Sequence, residues 1–234
     1  MDIALAVFPA LQAYNRYAKY GSDEWSAMAW QADRMVEQAI ARGINARAFH
    51  RPSDTASATT QLVAQQDEGY AWLMAQPQSR KIGVNFHTDS GDFSHTFGIF
   101  APRTGADSQR LADILSRKVQ AVLGTADRRV FSQLGTTDYD TYIFATHAKS
   151  PACLIELCSH QHERDLDALW AAGSGLAMAM VDGVIEWAAP AVTDWRAEAE
   201  RLRQQLETAT AANANYRAYL QNIRQLADTG LKRS

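Results

Sequence analysis

The chain has 234 residues, 47% apolar and 21% charged, enough to bury the core of one medium domain and carry an appendage. A formal net charge of −3 speaks against a general nucleic-acid binder, which needs a basic surface to neutralise phosphates. Every apolar stretch falls short of the roughly 18 residues that suggest a membrane span, and the N-terminus carries Asp2 and Pro9 where an export signal needs basic residues and an unbroken apolar run, so a protein made in the cytoplasm is expected.

In chain order, Ile3 to Phe8 reads as a short apolar strand. From Glu24 to Arg42 the apolar positions Trp25, Met28, Ala32, Met35, Val36, Ala39 and Ile40 follow helical spacing, with Gly43 as a stop. A strand over Asn45 to His50 follows, then a polar loop with Pro52 and a helix across Thr59 to Met74. Ile82-Gly83-Val84-Asn85-Phe86-His87-Thr88-Asp89 is a short apolar strand ending in a histidine and a polar, glycine-containing loop. Thr96 to Ala101 is a further strand, and Asp107 to Leu123 a helix. Short strands near Arg129-Val130-Phe131 and Tyr142-Ile143-Phe144 precede the apolar run from Ala152, and a helix from Leu176 to Trp187 closes the domain. This alternation predicts an α/β fold: a mostly parallel twisted sheet with helices on both faces, over residues 1–190.

Ala152-Cys153-Leu154-Ile155-Glu156-Leu157-Cys158-Ser159-His160 puts one carboxylate into a strand that should be buried, and one imidazole four residues later. An unpaired buried carboxylate is costly, so something must be waiting for Glu156. With His87 ending another strand, two chemistry-bearing strand ends look like the rim of an open α/β sheet, where ligands bind. The two cysteines, Cys153 and Cys158, stand at an odd offset along the strand, which predicts opposite strand faces and free buried thiols, as in a reducing compartment.

Residues 191–234 read differently. Over 193–234 there are seven Lys/Arg and five acids, a net +2 that leaves −5 on the rest of the chain. Trp195, Ala199, Leu202, Leu206, Ala209, Asn213, Tyr216, Leu220, Ile223 and Ala227 alternate spacings of four and three, a heptad stripe that starts after Pro190 and Thr193. It fits a helix lying on the domain, a helical hairpin or a coiled-coil homodimer, and its small or polar positions Ala199, Ala209 and Asn213 predict a thin seam.

Several segments stand in a telling order: Phe8-Pro9-Ala10-Leu11-Gln12 with Asn15, Glu24 opening a helix, Phe86-His87-Thr88-Asp89, Ser108 to Leu115, Arg128-Arg129-Val130, and Leu154-Ile155-Glu156 with Ser159-His160. Together they resemble the zinc-dependent N-acetylmuramoyl-L-alanine amidases of the amidase-3 type, in particular the branch of spore-forming bacteria and phage lysins. Those enzymes cleave the amide joining the lactyl group of muramic acid to the first alanine of the peptidoglycan stem. The resemblance implies that His87 and Glu24 hold a zinc ion while Glu156 takes a proton from water and returns it to the leaving nitrogen. The main pattern places a histidine after the first strand as a metal ligand; here the nearest candidate is Gln12, a poorer donor, with Asn15 as another. Asp89 replaces the usual Asn and adds negative charge beside the implied metal.

His160 either stabilises the oxyanion, positions Glu156 or is an ordinary loop residue. His95 is a candidate groove residue, His147 reads as a strand end, and His50 and His162 as solvent-exposed. Tyr14, Tyr17, Tyr20 and Trp25 could contact sugar rings or stem peptide, though aromatics at helical spacing more often belong to the core, and Trp25 is expected to be buried. The expected protein is thus a zinc-dependent wall amidase, a phage or prophage lysin or an autolysin, acting on peptidoglycan after release from the cell. The alternatives are an amidase fold that binds wall without cutting it, and a phage structural protein docked through its heptad tail.

Overall fold

All seven residues of β1 (Ile3–Pro9) are buried, as a strand covered on both faces requires. It lies inside a sheet whose other members come from along the whole domain. In the computed structural model, which describes residues 1–51, 58–135 and 139–189, a small antiparallel pair, β2 (Arg16–Tyr17) and β3 (Ser22–Asp23), leads into α1 (Glu24–Ala41). Then come β4 (Asn45–Ala48), α2 (Ala58–Ala75), β5 (Arg80–Asp89), β6 (His95–Phe100), α3 (Gly105–Leu123) and β7 (Asp127–Ser132). The elements α4 (Tyr139–His147), β8 (Ala152–Ser159), α5 (Glu163–Ala172) and α6 (Ser174–Ala188) complete the unit Met1–Ala189. The Pro52 loop and the tail 191–234, with its expected heptad helix and dimer seam, lie outside the described residues.

The main sheet has six strands in the order β4-β1-β5-β8-β6-β7. Every neighbouring pair is parallel except β6 with β8, so the sheet is mostly parallel, as predicted. Alternate residues feed two cores. Ile3, Leu5, Val7, Ile82, Val84 and Ile155 pack with Met28, Met35, Leu111, Leu115, Met180 and Val184 of α1, α3 and α6. Ala4, Ala6, Phe8 and Leu154 pack with Tyr70, Leu73 and Phe144 of α2 and α4. Helices on both faces supply the cover that a central parallel sheet needs.

Two expectations are corrected. Tyr142-Ile143-Phe144 is not a strand but the middle of α4, with Ile143 and Phe144 buried and Tyr142 exposed. A short apolar run with a β-branched and two aromatic residues reads the same in either state, and packing against α2 decides it. His147 accordingly ends a helix, where its Nδ1 is 2.8 Å from Asp67 Oδ1.

The cysteines are free and buried as expected, but they do not divide between the faces: both pack in the cluster with α1, α3 and α6. Between the pairs His87–Glu156 and Asp89–Ser159, β8 carries one residue more than β5. That bulge resets the alternation after Leu157. A helix that the sequence did not announce, α5, follows the strand.

Gly98 on β6 lets α3 approach closely, since a Cβ there would stand 2.7 Å from the Ala112 carbonyl oxygen. Backbone cannot swing aside as a side chain can. Gly98→Ala is therefore expected to lower the unfolding free energy by about 1–3 kcal/mol in urea titrations. Gly175→Ala, at an α6 position with nothing within 4 Å of the added Cβ, is expected to be neutral or stabilising.

Candidate active site

β1, β5 and β8 run parallel, so their carboxyl ends share one rim, and antiparallel β6 starts from the same rim. His87 on β5, Glu156 on β8 and Phe97 on β6 are register partners, so the three side chains form one row on one face of the sheet. His87 and Glu156 are both buried.

Glu24 reaches this row from the first turn of α1, whose start is fixed by Asp23, with its Oδ1 accepting the Ser26 N–H at 2.8 Å. A carboxylate there is favoured by the helix dipole. Glu24 is nonetheless only 1% exposed, which the dipole alone does not explain. Its Oε1 accepts the Thr88 N–H at 2.7 Å, its Oε2 accepts from Asn15 Nδ2 at 2.5 Å, and Oε1 lies 3.8 Å from His87 Nδ1. That last separation is beyond a hydrogen bond, so it does little to hold a proton on the ring. Burial pushes the His87 pKa down to about 4, which leaves a neutral imidazole with a free lone pair at neutral pH.

The sign of the resulting pH dependence is fixed. The His87 pKa is depressed in the folded state, so below about 6.5 the unfolded chain binds a proton that the folded one refuses. Stability is therefore expected to fall as pH drops from 6.5 to about 4 and to level off below, with a contribution of about 3 kcal/mol. Urea unfolding of chelator-treated protein across that range measures it, and His87→Gln is expected to flatten this part of the profile.

Thr88, which the sequence reading passed over, joins the remaining groups. Its N–H serves Glu24, and its Oγ1 hydrogen-bonds the Tyr17 hydroxyl at 2.6 Å and approaches His160 Nδ1 at 3.3 Å. The His160 N–H donates to the Asp89 carbonyl at 2.9 Å, and its ring lies 6.1 Å from that of Tyr17. His160 is half-buried, and burial lowers its pKa. Tyr17 is thus a buried member of the site's framework, whereas Tyr14 is 61% exposed. Trp25, expected to be buried, is half-buried, with its Nε1–H donating to the Arg51 carbonyl.

His95 is fully buried. Its Nε2 pairs with Asp89 Oδ2 at 3.0 Å and its Nδ1 with the Phe93 carbonyl at 2.8 Å. Burial opposes charge on this ring, but those two hydrogen bonds together with the negative charges of Asp89 and Asp165 outweigh it and raise the pKa, while the His95 bond lowers that of Asp89. This pair ties the end of β5 to the start of β6, so the charge of Asp89 is answered by His95. His50 is exposed and pairs with Asp33, as expected of a surface residue, but His162 is half-buried at the start of α5, with Nδ1 3.0 Å from Asp165 Oδ1.

Gln12 is buried just past β1, and its Oε1 accepts the Leu11 N–H at 3.0 Å. Among the described residues, no group of three or more His, Cys, Asp or Glu side chains is placed to hold a metal ion. His87, a neutral imidazole, and Glu24, a buried carboxylate, are the two groups here whose chemistry suits a metal ion. Among the described residues, no single helix is long and apolar enough to cross a membrane.

No protein-family model and no curated protein matches the chain. Solved structures do resemble it. The N-acetylmuramoyl-L-alanine amidase from Clostridium difficile 630 superposes with a TM-score of 0.61 at 12% identity, over 81% of this chain and 98% of that one. The apo N-acetylmuramyl-L-alanine amidase from Mycobacterium abscessus gives 0.60 at 13% identity, over 80% and 98%. The catalytic domain of the CD27L endolysin, which targets Clostridium difficile, gives 0.55 at 14% identity, over 79% and 96%. The α/β sheet with helices on both faces is thus the fold of the N-acetylmuramoyl-L-alanine amidases.

Proposed function

We propose that the protein hydrolyses the amide between N-acetylmuramic acid and L-alanine in peptidoglycan. The observation that carries this reading is the row His87–Glu156 at the strand ends of an amidase fold, with Glu24 3.8 Å from His87. Glu156 takes a proton from the attacking water and delivers it to the alanine nitrogen as the C–N bond breaks. His160, braced by Thr88 and the Asp89 carbonyl just past β8, stabilises negative charge on the carbonyl oxygen. His87 and Glu24 would hold a zinc ion, with Gln12 as third donor once its carbonyl leaves the Leu11 N–H. A zinc ion bound there supplies a Lewis acid that lowers the pKa of water toward about 7 and polarises the scissile carbonyl.

The same reading assigns the chain to the lysins of phages or prophages, or to autolysins, made in the cytoplasm and acting on the wall after release, with the 191–234 segment as a candidate dimer or wall contact. Release of free N-terminal alanine from purified cell walls tests the activity, and metal analysis of the purified protein tests the ion. One observation favours a second reading, that of a wall-binding module: the Gln12 carbonyl is satisfied by its own backbone neighbour. Stoichiometric binding to walls without alanine release would establish that alternative.

A further inference from the structure

Away from the Glu156 row, α1 and α5 enclose a cavity of about 490 Å³ lined by Ser22, Ser26, Trp30, Gln31, Leu169 and Trp170, with Ala27 and Gly173 beside them. Ser26, Ala27, Trp30 and Gln31 are one stripe of α1, and Leu169, Trp170 and Gly173 lie one turn apart across from it. The volume is in the range of small-ligand sites. Two lining indoles are unusually open for their size, Trp30 at 45% and Trp170 at 39% exposure.

The polar part of the lining is entirely neutral: two serine hydroxyls and a carboxamide. Gln31 is 5% exposed, and its Oε1 has no hydrogen-bond partner. An ion would find no counter-charge among these groups, and a wholly apolar occupant would offer the serine hydroxyls no partner. A neutral ring with apolar faces and a rim of hydroxyl and amide donors suits both surfaces, the C–H faces lying on indole and the rim meeting hydroxyl and carboxamide.

The cavity is joined to the candidate active site through aromatic contacts. Trp170 stacks on Tyr20 at 4.3 Å and meets the edge of Tyr17 at 6.0 Å. The hydroxyl of Tyr17 in turn holds Thr88, which braces Glu24 and His160.

From these contacts we infer that the α1–α5 cavity is a saccharide subsite that takes an N-acetylated pyranose ring of a glycan strand. The inference rests on the amidase reading for its choice of glycan, and its test is independent of cleavage. The probe is the N-acetylglucosamine tetramer, titrated into full-length protein carrying ¹⁵N-labelled tryptophan. Of the six indole N–H signals, those of Trp30 and Trp170 are expected to shift, with assignments from Trp30→Phe and Trp170→Phe. Trp30→Ala and Gln31→Leu are each expected to weaken binding at least tenfold, with the far-ultraviolet spectrum unchanged.

Absence of binding by the full chain, shifts confined to the other four indoles, or unchanged affinity in both variants would overturn the inference. The two ideas fail separately. Tetramer binding at Trp30 and Trp170 in a protein that releases no alanine from walls would leave the subsite standing and the amidase reading fallen. Alanine release without tetramer binding would do the reverse.

Discussion

Glu156→Gln is expected to reduce alanine release from cell walls by about 10²–10⁴-fold while leaving the fold and the metal content unchanged. The substitution keeps shape and volume on a buried strand and removes only the ability to carry a proton. His87 stands beside Glu156 in register, but in this reading its lone pair is committed to the metal and does not replace the carboxylate. Glu24 is engaged by the Thr88 N–H and Asn15 Nδ2, which holds it away from proton transfer. Turnover within about threefold of wild type, at equal thermal stability, would remove Glu156 from the role of base and send the search to His160.

How far the site could be read from the sequence depends on the range of the contacts that build it. Glu156 was legible because a carboxylate in an apolar strand contradicts its surroundings, and His87 because it ends a similar strand. Their adjacency was not legible, since it follows from the pairing of β5 with β8, strands separated along the chain by β6, α3, β7 and α4. The role of Thr88 was hidden for the same reason: its partners Tyr17, Glu24 and His160 come from three distant segments. Helices α1 and α3 carry long amphipathic patterns and were placed closely. By contrast, α4 is short and apolar, a pattern that periodicity cannot separate from a strand, and its assignment waits on contact with α2. The bulge in β8 adds a single residue, which no composition signal marks, yet it moves Cys158 to the face of Cys153.

His87→Gln is expected to abolish stoichiometric zinc binding and wall cleavage together. Loss of an outer partner of a metal ligand costs about 10–100-fold in affinity, and loss of the sole imidazole in a site of two strong donors must cost more. Glutamine keeps much of the volume, so the buried row is not opened into a cavity. Glu24→Gln is expected to fail differently: its new Nε2–H₂ would face the Thr88 N–H or Asn15 Nδ2, donor against donor, so the protein loses stability as well as zinc. Gln12 discriminates between the two functional readings. If its carbonyl completes the site, Gln12→Ala lowers zinc affinity by about tenfold and Gln12→His raises it by at least as much, because imidazole is the better ligand. Equilibrium dialysis with zinc, followed by alanine release from walls, measures both steps on the same samples. Zinc binding that is unchanged in His87→Gln would remove the ion from this rim. Zinc binding that appears only in Gln12→His, accompanied by cleavage that wild type lacks, would identify the natural protein as a wall-binding amidase fold that a single ligand separates from catalysis.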